Sequence, residues 1–166
     1  MTDGKMIDAL NKQIGEELFS AYLYLAMSAD FEAKSLPGFA GWMRAQAGEE
    51  IEHAMRIFTY ISDRGGRAVM EAIGKPQTEW KSPLDAFQAA YDHERHISKC
   101  IDDLVTQASA ANDFATESFL KWFVDEQVEE EKSADENVQK LKMFSDSSES
   151  IYLLDKELGQ REKEED

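Results

Sequence analysis

Along the 166 residues, apolar side chains recur at spacings of three and four in four long runs, the period of a helix that buries one stripe. In the first run the stripe reads Ile7, Leu10, Ile14, Glu17, Ala21, Tyr24 and Ser28, and in the second Met43, Gln46, Glu50, His53, Ile57 and Ile61. The third reads Phe87, Ala90, Glu94, Ile97, Ile101, Leu104 and Ala108, and the fourth Phe119, Phe123, Gln127, Glu130, Ala134, Val138 and Leu141. Punctuation sets the boundaries. Ser35-Leu36-Pro37-Gly38 separates a first helix over about residues 5–33 from a second that Gly65-Gly66 stops after about residue 64. Ser82 as N-cap, Pro83 at the first helical position and Asp85 three residues after the cap start a third helix that runs to about residue 110. After Ala111-Asn112-Asp113 a fourth continues to about residue 144, residues 145–148 break it, and a short amphipathic helix follows over about 149–158.

These elements predict an all-α chain forming one domain over residues 1–166: a four-helix bundle over about 5–144, the short fifth helix, and an acidic, frayed tail over 159–166. Short loops make the first two helices antiparallel, and likewise the third and fourth. Residues 65–81, with three glycines and Pro76, are long enough to return along the bundle as a crossover.

Charge narrows the partners. With 34 acidic against 18 basic residues the chain repels a phosphate backbone and attracts cations, so nucleic acid is not expected as a partner. Cys100 is the one cysteine; it has no partner for an intrachain disulfide or a paired-thiolate metal site, which fits a reducing compartment. The opening MTDGKMIDAL lacks the basic and apolar regions of a signal peptide, and the most apolar segment, residues 21–27, falls far short of the roughly 20 residues that span a bilayer. The expected location is the cytoplasm, with no membrane contact.

The interruptions in the four stripes carry the chemistry. Glu17, Glu50, Glu94 and Glu130 stand where aliphatic residues belong, each near the middle of its helix, so they meet at one level of the bundle. A buried carboxylate costs several kcal/mol unless it is paired or neutralised, and two divalent cations at that level neutralise all four. Glu50-x-x-His53 places an imidazole one turn from a carboxylate, a clip that suits iron, manganese or zinc better than calcium or magnesium. Tyr24, two turns beyond Glu17 on the same face, is placed either to serve those metals or to pack in the core. Glu126, Glu129 and Glu130 share one side of the fourth helix and, with Glu49, form either an accessory cation site or a solvated acidic face. His93 and His96 read as surface histidines, and Trp42, Trp80, Trp122 and Cys100 as packing residues.

Nearly the whole chain resembles the bacterial non-haem ferritins. The resemblance rests on Asn11-Lys12-Gln13-Ile14-Gly15-Glu16-Glu17 with Tyr22-Leu23-Tyr24, on Gly38-Phe39-Ala40-Gly41-Trp42-Met43 leading to Glu49-Glu50-Ile51-Glu52-His53, and on His93-Glu94. It continues through Glu126-Gln127-Val128-Glu129-Glu130-Glu131-Lys132 and closes at Tyr152-Leu153-Leu154-Asp155-Lys156-Glu157-Leu158. It implies a bundle of ferritin type in a cage of twenty-four subunits, which oxidises Fe(II) with O2 or H2O2 and stores ferric oxide mineral. Carried over by position, it implies that Glu17, Glu50 and His53 bind one iron, that Glu50, Glu94 and Glu130 bind the other, and that Glu50 bridges. It further implies that Gln127 acts beside the second iron, that Tyr24 is redox-active, and that Glu49, Glu126, Glu129 and Glu130 hold a third iron. Bacterioferritins and rubrerythrins repeat Glu-x-x-His on the fourth helix, where this chain has Gln127-Val128-Glu129-Glu130. Bacterioferritin's haem methionine is replaced by Ile51, so no haem is expected. Two alternatives stay open at this point: a di-iron peroxidase of rubrerythrin type, and a metal-binding cage without turnover.

Overall fold

The computed structural model describes residues 3–144 and 146–161. Within them lie α1 (Gly4–Ala33), α2 (Pro37–Asp63), α3 (Pro83–Ala110), α4 (Phe114–Phe144) and α5 (Ser148–Leu158). Each boundary falls within a residue or so of its expected place, whereas the tail beyond residue 161 and Ser145 lie outside the described residues. Local chemistry explains the ends. Ser82 Oγ accepts the Asp85 backbone N–H at 3.1 Å to cap α3, and Ser147 Oγ does the same for Ser150 at α5. The turn after α2 carries Gly65 at φ +75°, a left-handed conformation that costs glycine nothing.

The apolar core is two clusters with a polar layer between them. One combines Met6, Leu10 and Ile14 with Ala54, Ile57, Ile61, Ile97, Ile101, Leu104, Leu120 and Phe123. The other gathers Met27, Phe31, Phe39, Trp42, Met43, Trp80, Phe87, Ala90, Val138, Leu141 and two leucines of α5. The start of α1 therefore lies beside the end of α2, and the start of α3 beside the end of α4. α2 and α3 run parallel, which gives the up-down-down-up order that the single long connection requires.

That connection is strapped along α1. Asn11 Nδ2 donates to the Arg67 carbonyl at 3.1 Å while its Oδ1 accepts Val69 N–H at 2.9 Å. Near the other end of α1, Asp30 accepts the Trp80 N–H at 3.3 Å, and Lys34 donates to the Trp80 carbonyl at 2.5 Å.

α5 folds back onto the start of α2. Asp155 Oδ1 accepts the Phe39 N–H at 2.8 Å, placing an acid at the positive end of α2. Only glycine permits this approach, because a Cβ on Gly38 would lie 1.7 Å from the Asp155 carbonyl oxygen.

The inward stripes match the expected residues except at two places. Met6 is buried where Ile7 is half-buried, and Leu120 is buried where Phe119 is half-buried. The Phe119 ring instead stacks on Tyr60, with centroids 3.8 Å apart. None of the helices among the described residues is long and apolar enough to cross a membrane.

Candidate metal centre

Between the two clusters each helix contributes one carboxylate to the same layer. Glu17, Glu50, Glu94 and Glu130 are all buried, Glu17 and Glu94 completely. One turn along α2 from Glu50, His53 points Nδ1 at the carboxylates, 3.2 Å from Glu50 Oε2 and 3.9 Å from Glu17 Oε2. Donor atoms of Glu17, Glu50 and His53 fall within 4.8 Å of one another, and so do those of His53, Glu126 and Glu130.

The layer is partly satisfied by neighbours. Gln13 donates to Glu17 Oε1 at 2.8 Å, and Gln46 donates to Glu130 Oε2 at 2.8 Å. The Tyr24 hydroxyl donates to Glu94 Oε1, and Gln127 donates to Glu94 Oε2 at 3.1 Å. Two oxygens receive nothing: Glu17 Oε2 and Glu50 Oε1 are buried without a hydrogen-bond partner. A buried carboxylate oxygen without a protein partner is a strong acceptor, which is the property of a cation ligand.

Electrostatics point the same way. Burial, as the largest cause, pushes the carboxyls of Glu17, Glu50 and Glu94 above their usual range. Glu130 is pushed up to about 7, by burial first and the Glu94 charge second. Like charges this close resist ionising together, so without cations the layer holds protons. Burial and the Glu94 carboxylate likewise raise the Tyr24 phenol well above its ordinary value.

Of the acidic residues Glu49, Glu126, Glu129 and Glu130, the structure brings some together and not others. Glu126 and Glu130 meet at His53, but Glu129 is exposed and joins none of the donor trios that approach within 4.8 Å among the described residues. Glu49 is gripped by Arg161, whose Nη2 donates to Oε1 at 2.9 Å and Oε2 at 3.0 Å. Arg161 also lies 5.0 Å over the Trp42 ring, so the chain beyond α5 reaches the site's edge.

His93 is not a surface residue either. It is half-buried, its Nε2 lies 2.7 Å from Ser20 Oγ, and burial lowers its pKa to about 4. His96 is exposed as expected. Trp42 and Trp80 pack in the core, half-buried Trp122 packs against the cluster around Phe123 with its ring edge-on to His53 at 5.4 Å, and half-buried Cys100 faces His96. Gln13 and Gln46, the amides that orient Glu17 and Glu130, join the site without being among the residues the sequence singles out for it. Gln13 precedes Glu17 by four residues, the helical pairing distance, and that spacing was a usable signal.

Known proteins share this arrangement of chain. A family model described as a ferritin-like domain matches residues 7–144. A protein named bacterial non-heme ferritin from Bacteroides fragilis is 45% identical over 161 residues, spanning 97% of this chain and 100% of that protein. One of the same name from Staphylococcus aureus is 38% identical over 97% of each. Among solved structures, an open pore ferritin from the hyperthermophilic archaeon Archaeoglobus fulgidus superposes with a TM-score of 0.95 at 47% identity, covering 96% of this chain and 98% of that one. A humanized archaeal ferritin gives 0.94 at 48% identity over the same shares. Matched through its bundle by the family model and along nearly its whole length by these relatives, the chain belongs to the ferritin family.

Proposed function

We propose that this chain is an iron-storage subunit with ferroxidase activity: it oxidises Fe(II) to Fe(III) with O2 or H2O2, and the product is kept as ferric oxide mineral inside a homo-oligomeric cage of 24 subunits. One observation carries the reading: four carboxylates and an imidazole share a buried layer with two carboxylate oxygens unpartnered. Two Fe(II) ions, the substrate, give up one electron each, which together reduce one O2 to H2O2 or one H2O2 to water. Hard anionic oxygens favour the ferric product over the ferrous substrate.

In this reading Glu17 and His53 hold the first iron, Glu94 and Glu130 the second, and Glu50 bridges both. Gln127 orients Glu94 beside the second iron, and Tyr24 is the redox-active tyrosine. Glu49, Glu126 and Glu129 join Glu130 around a third iron. The closeness of Glu126 to Glu130 supports that site, and Arg161 must release Glu49 for it to fill. We take the compartment to be the cytoplasm, in keeping with the single cysteine, and the centre to work without haem.

Oxygen-free protein given two Fe(II) per chain and then mixed with O2 or H2O2 tests the whole reading. Fast oxidation of both ions followed by soluble mineral is expected. Turnover with peroxide alone and no mineral makes the chain a peroxidase, and binding without oxidation makes it a passive cage. A native mass near twenty-four times the 18.9 kDa chain checks the assembly. Replacing Glu126 and Glu129 together by Gln keeps the first fast phase and alters later uptake. Absence of metal density beside them in Fe(II)-soaked crystals with a full di-iron centre removes the third site.

A further inference from the structure

A second group of metal-ligating side chains lies on the α1/α3 face, outside the carboxylate layer. Glu16, His96 and Cys100 each present one donor atom, and the three lie within 4.8 Å of one another. His96 and Cys100 are four residues apart on α3 and so project from one face on successive turns, while Glu16 reaches across from α1. The pivot is His96 Nε2, which lies 2.9 Å from Glu16 Oε2 and 3.6 Å from Cys100 Sγ. Around a tetrahedral ion with bonds of about 2.0 Å to O and N and about 2.3 Å to S, O···N and N···S separations are about 3.3 and 3.5 Å. The existing gaps differ from those by a few tenths of an ångström. Opening the Glu16 to His96 contact by a few tenths of an ångström brings that pair to ligand spacing.

We propose that Glu16, His96 and Cys100 form a separate three-ligand site for a divalent cation of the zinc class, with its fourth position open to solvent at the exposed imidazole. The donor set selects the ion. A thiolate with an imidazole prefers zinc, cobalt or copper, whereas the carboxylate-dominated layer suits iron. The two sites share no ligand even though Glu16 and Glu17 are consecutive, because one helical step turns the chain by about 100° and sends the first outward and the second inward. Glu16 is half-buried and Glu17 wholly buried. His93 stands beside the new site, its ring 5.9 Å from that of His96, and its bond to Ser20 Oγ fastens α3 to α1 there.

Cobalt(II) added to the assembled, metal-free protein is the direct probe. Thiolate ligation gives a near-ultraviolet charge-transfer band, and the chain's single cysteine makes that band report this site alone. The band is expected to saturate at about one cobalt per chain and to be displaced by zinc(II). It should vanish in Cys100→Ser and require at least about tenfold more cobalt in His96→Ala and in Glu16→Gln, while His53→Ala leaves it unchanged. In the unaltered protein, zinc(II) should slow alkylation of Cys100. No band with the di-metal centre already filled overturns the proposal. A band indifferent to His96→Ala and Glu16→Gln does so too, since it marks a lone thiol, and loss of the band in His53→Ala shows that the site is not separate.

Discussion

The two halves of the carboxylate layer are built from the same residue type at the same depth, yet they are held in different ways. Glu17 and Glu50, on the α1/α2 pair, keep one unpartnered oxygen each and face an imidazole. Glu94 and Glu130, on the α3/α4 pair, are braced by donors, and two of those come from the opposite pair: the Tyr24 hydroxyl and the Gln46 amide. Desolvation is therefore least compensated on the α1/α2 side, where a cation gains most on entering. The α3/α4 side is pre-oriented, and its braces also tie the two helix pairs together. From this contrast follows an order of filling, first the α1/α2 half and then the other.

Removing Glu50 should have the largest effect. Because the proposed function makes Glu50 the ligand shared by both ions, Glu50→Ala is expected to slow the initial oxidation by about 100-fold or more, at or beyond the upper end of losses for residues that only orient ligands, and Glu94→Ala by less. Stopped-flow oxidation compares them, and equal losses would erase the distinction between a shared ligand and a one-sided one. The next test separates the halves. In an oxygen-free titration His53→Ala should weaken the first binding step by about 10- to 100-fold, and Glu94→Gln only the second. The reverse assignment would break the proposed order.

A third prediction concerns protons. Glu130 holds its proton more readily folded than unfolded, so its contribution to stability is complete below about pH 4.5 and is lost as the pH climbs through about 7. That contribution is about 3 kcal/mol, and the raised carboxyls of Glu17, Glu50 and Glu94 act in the same direction. The unfolding temperature of metal-free protein should fall between pH 5 and 8, less steeply in Glu130→Gln. Loading with Fe(II) under nitrogen should remove most of the decline, because cations bind the deprotonated layer. A flat metal-free profile would mean that the carboxyls are not held protonated.

The smallest effect should come from a brace. Gln46→Leu deletes one hydrogen bond to Glu130 and is expected to weaken the second cation by about fivefold, the equivalent of about 1 kcal/mol, with the first untouched. If both steps weaken alike, the halves are one unit and the comparison fails.

Much of this was legible in the residue pattern, for reasons that also mark its limit. Glu17, Glu50, Glu94 and Glu130 were visible because a charge within an apolar helical stripe violates a strong rule, and Ser82 with Pro83 marked α3 because capping is local chemistry. The amides were harder to see. Gln46 lies on the inward stripe, but a glutamine tolerates many settings, and its partner Glu130 is 84 residues away. The Ser20 bond to His93 and the Arg161 grip on Glu49 depend on how helices meet in space, and no spacing along one helix encodes either. Phe119 and Leu120 exchanged roles because the helical period leaves adjacent apolar residues ambiguous by one step. Stacking on Tyr60 decided between them.

The strapped crossover separates the path of the chain from its continuity. Because Asn11 and Asp30 hold the stretch near both its ends, a break at exposed Gly74 would leave each new terminus beside α1. Covalent linkage between the helix pairs would be gone, while the contacts that orient them persisted. The three-residue link from Ala33 to Pro37 offers no such freedom, since it alone dictates that α2 turns back on α1. The short links after α1 and α3 thus set direction within each pair, whereas the crossover joins pairs that contacts also orient, and it is where a permuted or two-piece version of the subunit would be opened.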